Sequence, residues 1–120
     1  MKTLCLPLKK EWYNMIESLI KPEEYRGITA YWIVRLFRDE NVRKISRLTA
    51  NFLASNIEIL KWWLESGKLV FKPFDFVKFS YGYTKRTMTF KLDSITIGKG
   101  KPEWGAPTED VFIIKLGNRV

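Results

Sequence analysis

The chain has 120 residues, with 21 lysines and arginines against 13 acidic residues, a formal charge of +8 and no histidine. Its 46% apolar and 15% aromatic content suits one cored domain and excludes intrinsic disorder. The missing histidine excludes Ser-His-Asp and Cys-His catalysis and imidazole metal sites, and a single cysteine, Cys5, excludes an intramolecular disulfide and a cysteine-cluster zinc site.

Thr3 to Leu8 reads as a short buried strand stopped at Pro7, with Cys5 as a small core residue. Residues 11–20 form a helix on the three- and four-residue recurrence of Trp12, Met15, Ile16 and Leu19, ended near Pro22. Residues 23–28 are a strand or a turn, too charged for a central strand. Thr29 caps a second helix over 30–38, with Ile33, Val34 and Phe37 on one side. After the break at Asp39-Glu40-Asn41, residues 43–66 read as one long helix. Its stripe of Ile45, Leu48, Phe52, Ile59 and Trp63 faces the core, Trp62 lies off the stripe and exposed, and Gly67 sits just past the end.

From Lys68 the period becomes two. Val77, Phe79, Tyr81 and Tyr83 mark one strand, with Gly82 as a bulge. Thr84-Lys85-Arg86 connects to a second strand carrying Met88, Phe90 and Leu92, whose phase slips after Asp93-Ser94. Residues 98–108, with three glycines and two prolines, are a loop; Phe112, Ile114 and Leu116 form a last strand ended by Gly117-Asn118. Helices early and strands late make an α+β domain, its sheet mixed or antiparallel and curved enough to close into a small β-barrel.

The charge surplus points to polyanions. No apolar run approaches the length of a membrane span, and Pro7, Lys9 and Lys10 come too early for a signal peptide. A cytoplasmic protein without membrane, metal or cofactor is expected. The segment Lys21-Pro22-Glu23-Glu24-Tyr25-Arg26 concentrates chemistry: if 23–27 is extended, Glu24 and Arg26 share a face, with Lys21 just before them. That set suits a phosphate or a polar base, and a desolvated lysine beside a glutamate can move a proton. A solvated charged turn is the other reading. Residues 85–101 hold Lys85, Arg86, Lys91, Lys99 and Lys101 against Asp93, with Tyr81, Tyr83 and Trp104 nearby, a mixture suited to a single strand or to an ordinary core with a charged surface. Arg35, Arg38, Arg43, Lys44 and Arg47 form a second basic run, read as a solvated face or a binding surface. Gly98-Lys99-Gly100-Lys101 lacks the spacing of a phosphate loop.

The segment after the first helix resembles the signature of the ASCH domain family, a branch of the PUA-like superfamily, which reads Gly-x-Lys-x-x-Glu-x-Arg. Lys21, Glu24 and Arg26 match; Leu19 stands at the glycine and would resist the turn made there. The tail, Gly100-Lys101-Pro102-Glu103-Trp104-Gly105-Ala106 and then Phe112 to Gly117, is similar to the closing loop and strand of a small bacterial subgroup of that family. The resemblance covers 1–38 and 70–120, leaving 40–66 as a helical insertion in a single domain. It implies a PUA-like barrel that binds RNA or a nucleotide in a cationic cleft. Lys21, Glu24 and Arg26 would line the cleft. Read from the residues themselves, Trp104 and its loop are expected as a wall, and Lys9, Lys10, Arg86 and Lys101 as phosphate contacts beside Tyr81. Some relatives are hydrolases of modified nucleosides or nucleases, in which case Lys21 and Glu24 would be catalytic. In the amidohydrolase group a threonine stands where this chain has Glu24, which argues against that reaction. A third expectation is a protein-interaction module using the helix over 43–66 and Trp62.

Overall fold

The computed structural model describes residues 2–120; Met1, where the family resemblance opens, lies outside them. The chain divides into two compact units, residues 2–25 with Pro73–Val120, and Arg26–Lys72. In chain order the elements are β1 (Thr3–Leu8), α1 (Lys10–Glu17), β2 (Glu23–Gly27), α2 (Ala30–Leu36), β3 (Phe37–Asp39), α3 (Arg47–Ala54), α4 (Ile57–Glu65), β4 (Leu69–Phe71), β5 (Phe76–Tyr81), β6 (Thr87–Gly98) and β7 (Val111–Arg119), with a 3-10 turn at Pro102–Trp104.

The first unit is built on a curled five-stranded sheet in the order β1-β5-β6-β7-β2. The sheet is mixed: β1 runs parallel to β5, from Thr3 beside Phe76 to Leu8 beside Tyr81, whereas β5–β6 and β6–β7 are antiparallel. With β1 and β2 at its two ends, the sheet is a half-barrel rather than the closed barrel expected. The curl has a local cause in β6, whose register against β7 shifts between Phe90 and Leu92 and again between Leu92 and Ser94. An extra residue at a bulge bends the strand and raises its twist. The shifts lie just before the point, after Asp93-Ser94, where the two-residue phase is expected to slip.

Strand alternation sets the core. Leu4, Leu6 and Leu8 are buried, and so are Val77 and Phe79 on β5 and Met88 and Phe90 on β6. The same alternation turns Thr3, Cys5 and Pro7 outward, so Cys5 is exposed and not the core residue expected. The strand also continues past Pro7, which an edge strand tolerates because one side of its backbone needs no ladder partner. On α1 the buried face is Tyr13 and Ile16; Leu19 lies beyond the helix and is exposed. Gly82, at φ 60°, belongs to the turn after β5 rather than to a bulge, and Tyr83 is exposed in that turn. β7 runs through Gly117-Asn118 to Arg119 instead of stopping there.

In the second unit the Thr29 hydroxyl accepts the Trp32 backbone N–H (3.3 Å), capping α2 as expected. The helix ends at Leu36 because Phe37 turns extended and opens β3, whose partner is the antiparallel β4. Phe37 stacks on Phe71, ring centroids 4.3 Å apart.

The expected single helix over 43–66 is two shorter ones. Residues 40–46 are a turn and an irregular segment that bridges back from Lys44 to Arg38, and the Asp39 carboxylate before them accepts the N–H groups of Asn41 and Arg43 at 2.8 Å each. α3 then starts at a Ser46 cap and stops before Ser55-Asn56. There the Asn56 side-chain amide donates to the Phe52 carbonyl at 2.8 Å, an alternative partner that ends the helical ladder. The break rotates the buried face onto Ala50, Leu53 and Leu60, leaving Leu48 82% exposed and Phe52 also on the surface. Gly67, at φ 80°, follows α4 as expected. The stretch 40–66 lies wholly within this unit.

Candidate functional site

The site begins where α1 ends. The Leu19 N–H donates to the Ile16 carbonyl (3.0 Å) and the Ile20 N–H to the Met15 carbonyl (2.9 Å), the paired closure of a Schellman turn. That turn requires a left-handed residue at Leu19, which has φ 65°. The departure from the signature's glycine therefore does not abolish the turn, since leucine adopts the conformation glycine would favour. The Lys21 N–H also donates to the Met15 carbonyl (3.1 Å).

Lys21 is 1% exposed and Glu24 5% exposed. Lys21 Nζ lies 3.0 Å from Glu24 Oε1 and donates to the Glu23 carbonyl at 2.7 Å. The ammonium also sits 4.5 Å from the Tyr25 ring centroid and 5.7 Å from that of Trp12. A buried lysine is tolerated only when paired. Here a carboxylate, a carbonyl and two aromatic faces replace the lost water.

Tyr25 ties this cage to the loop after β6. Its hydroxyl donates to Glu23 Oε2 (2.6 Å) and accepts the Lys101 backbone N–H (3.0 Å). Burial pushes the phenol well above its ordinary pKa, and the hydrogen bond to Glu23 adds to the rise. A Cβ on Gly100 would stand 2.6 Å from the Tyr25 ring, and one on Gly105, at φ 93°, 2.8 Å from the Trp12 ring. The loop thus rests on the same two rings that enclose Lys21, and glycine permits the approach. Trp104 packs with Ala106 against Tyr25, Val111 and Ile113. Lys101 Nζ lies 4.6 Å from the Trp104 ring, and Lys99 pairs with Asp110 at 3.3 Å.

Other expected residues fall into a second cluster of the same unit. The Arg86 guanidinium lies 4.8 Å from the Tyr81 ring and 5.1 Å from the Tyr13 ring, and it pairs with Glu17 at 2.8 Å. Lys10 Nζ is 5.8 Å from the Tyr81 ring, and the exposed Lys9 precedes α1 as its N-cap. Lys85 and Lys91 are exposed. Arg26 stands two residues after Glu24 on β2, with its guanidinium 5.4 Å from the Trp32 ring. The structure brings Lys21 and Glu24 together. Trp62 is exposed on α4.

Sequence reasoning missed Trp12 and Tyr25 as parts of the site. Trp12 reads as one of a core helix face and Tyr25 stands between charged neighbours; the signal in the sequence is a pair of aromatic residues bracketing a lysine. Among the described residues no group of three or more His, Cys, Asp or Glu could hold a metal ion, and no helix is long and apolar enough to cross a membrane. Comparison with protein-family models, curated proteins and solved structures finds no match to this chain.

Proposed function

We propose that this chain binds a nucleotide or single-stranded RNA through its first unit, in the manner of an ASCH-type, PUA-like domain. The observation that carries the reading is the enclosed Lys21–Glu24 pair, 3.0 Å apart, at two of the signature positions, the lysine two residues after a left-handed Leu19 at the signature's glycine. A buried ion pair is costly and does little for net stability against an apolar replacement, so its presence in a small unit favours a functional role. Buried as they are, the two residues supply the floor and its polarity rather than the phosphate contacts. The exposed cations Lys9, Arg86 and Lys101 take phosphates, and Tyr81 and Trp104 offer rings to bases.

The test is fluorescence anisotropy of a labelled oligouridylate across a salt series. Each phosphate contact on a single strand adds about −0.7 to the log–log slope, so about five contacts give about −3.5. Arg86→Gln and Lys101→Gln each make the slope shallower by about 0.7. A wild-type protein that does not bind, or binds without salt dependence, overturns the proposal.

The Lys21–Glu24 distance favours a second reading, a small hydrolase of a modified nucleoside or RNA, because 3.0 Å lies within proton-transfer range. Acylated nucleosides and labelled RNA left intact by concentrated protein would retire it.

A further inference from the structure

We propose that the Arg86 position of the first unit takes a terminal phosphate, the phosphomonoester of a nucleotide or of a strand end, and that Glu17 occupies this position until the ligand displaces it. The inference rests on the nucleotide or single-strand reading above and names which phosphate that site selects.

An anion already stands at this point. Arg86 Nη2 lies 2.8 Å from Glu17 Oε1, and Glu17 makes no other ion pair among the described residues. The guanidinium lies over two rings, 4.8 Å from the Tyr81 centroid and 5.1 Å from the Tyr13 centroid. Tyr13 is fully buried and meets Tyr81 edge to face at 5.2 Å, so the two rings form a packed bed. Two cation–π contacts therefore hold Arg86 whether or not Glu17 is beside it. Lys10 Nζ stands 5.8 Å from the same Tyr81 ring and brings a second positive charge.

Glu17 is a weakly held occupant. It is the last residue of α1, and the last turn of that helix carries no basic residue. A carboxylate there meets the negative end of the helix dipole. The Arg86 and Glu17 side chains are 53% and 35% exposed, and ion pairs so open to water contribute little.

Displacement sets the class of ligand. A backbone phosphodiester carries one negative charge, no more than the carboxylate it must replace, and the tethered carboxylate competes at the higher effective concentration. A phosphomonoester carries about −1.5 to −2 at pH 7. Its three acceptor oxygens can take two parallel hydrogen bonds from a guanidinium and still serve a second cation.

Octauridylate labelled at its 3′ end, with either a 5′-phosphate or a 5′-hydroxyl, is titrated into the full-length chain and its Glu17→Gln and Arg86→Gln variants. Both substitutions fall on a solvent-exposed pair, so melting points should change little. The wild type should bind the phosphorylated strand about tenfold more tightly than the other. Arg86→Gln should remove that preference. Glu17→Gln, which frees Arg86, should tighten the phosphorylated strand about threefold. Equal binding of the two strands by the wild type overturns the inference, while salt-dependent binding of both leaves the single-strand reading standing. A preference that survives in Arg86→Gln puts the terminal phosphate elsewhere and overturns it as well. A Glu17→Gln variant no tighter than wild type removes Glu17 as the occupant. If neither strand binds any of these proteins, the inference and the reading beneath it fall together.

Discussion

Leu19 holds a conformation that costs an L-residue about 1–2 kcal/mol. It is 74% exposed, so its side chain returns little of that cost through burial. Glycine removes the steric penalty but loses about 0.5–1 kcal/mol through the greater freedom of its unfolded chain. Leu19→Gly should therefore stabilise the protein by up to about 1 kcal/mol, while Leu19→Ala, which keeps a Cβ, should not. Urea denaturation of the two variants decides it, and a glycine variant less stable than wild type would refute the argument. Tyr25 sets a second test at this scale. Its folded phenol holds a proton more tightly than the unfolded one, whose pKa is near 10, because burial and Glu23 both disfavour the phenolate. The associated stability is intact below that pH and declines as pH rises through it toward the higher folded value. Melting curves between pH 8 and 11 should show an alkaline decline that Tyr25→Phe reduces.

At the scale of elements, the loop between β6 and β7 is the most constrained connection in the first unit. Its glycines and prolines marked it as a loop in the sequence, but its task could not be read there, since close approach to two distant rings leaves no local pattern. Gly100→Ala drives a methyl group into Tyr25, an overpacking that costs about 1–3 kcal/mol. Gly105→Ala meets the Trp12 ring and also a left-handed backbone, so its loss should be the larger. Both losses are measured by chemical denaturation, and a neutral Gly105→Ala would mean that the loop does not rest on Trp12. Legibility differed among elements for physical reasons. The two-residue period of β5 and β6 is sharp enough to expose even the slip within β6. β3 and β4, at three residues each, are too short to alternate. The 43–66 stretch misled because apolar spacing continues through Ser55-Asn56, while the event that ends α3 is a single amide captured by the Phe52 carbonyl.

Over the whole molecule, the +8 charge was plain from composition, but which cations stay in water was not. Lys21 and Glu24 were recognisable as a pair by spacing and by resemblance. Charged residues in a Pro-containing turn are normally solvated, and only the return of the chain after α1, with the β6–β7 loop over Trp12 and Tyr25, encloses them. That enclosure gives the decisive test. Lys21→Ala takes the ammonium away from a buried carboxylate and should cost about 3–5 kcal/mol, so lost binding in that variant would be ambiguous. Lys21→Met with Glu24→Leu removes both charges at similar volume, and such replacements of buried pairs are often neutral or stabilising. The double variant should melt close to the wild type, yet bind octauridylate more weakly, because an apolar floor no longer offers a donor and an acceptor to a base. If it folds and binds with undiminished affinity, the pair serves architecture alone and the ligand is recognised elsewhere on the chain.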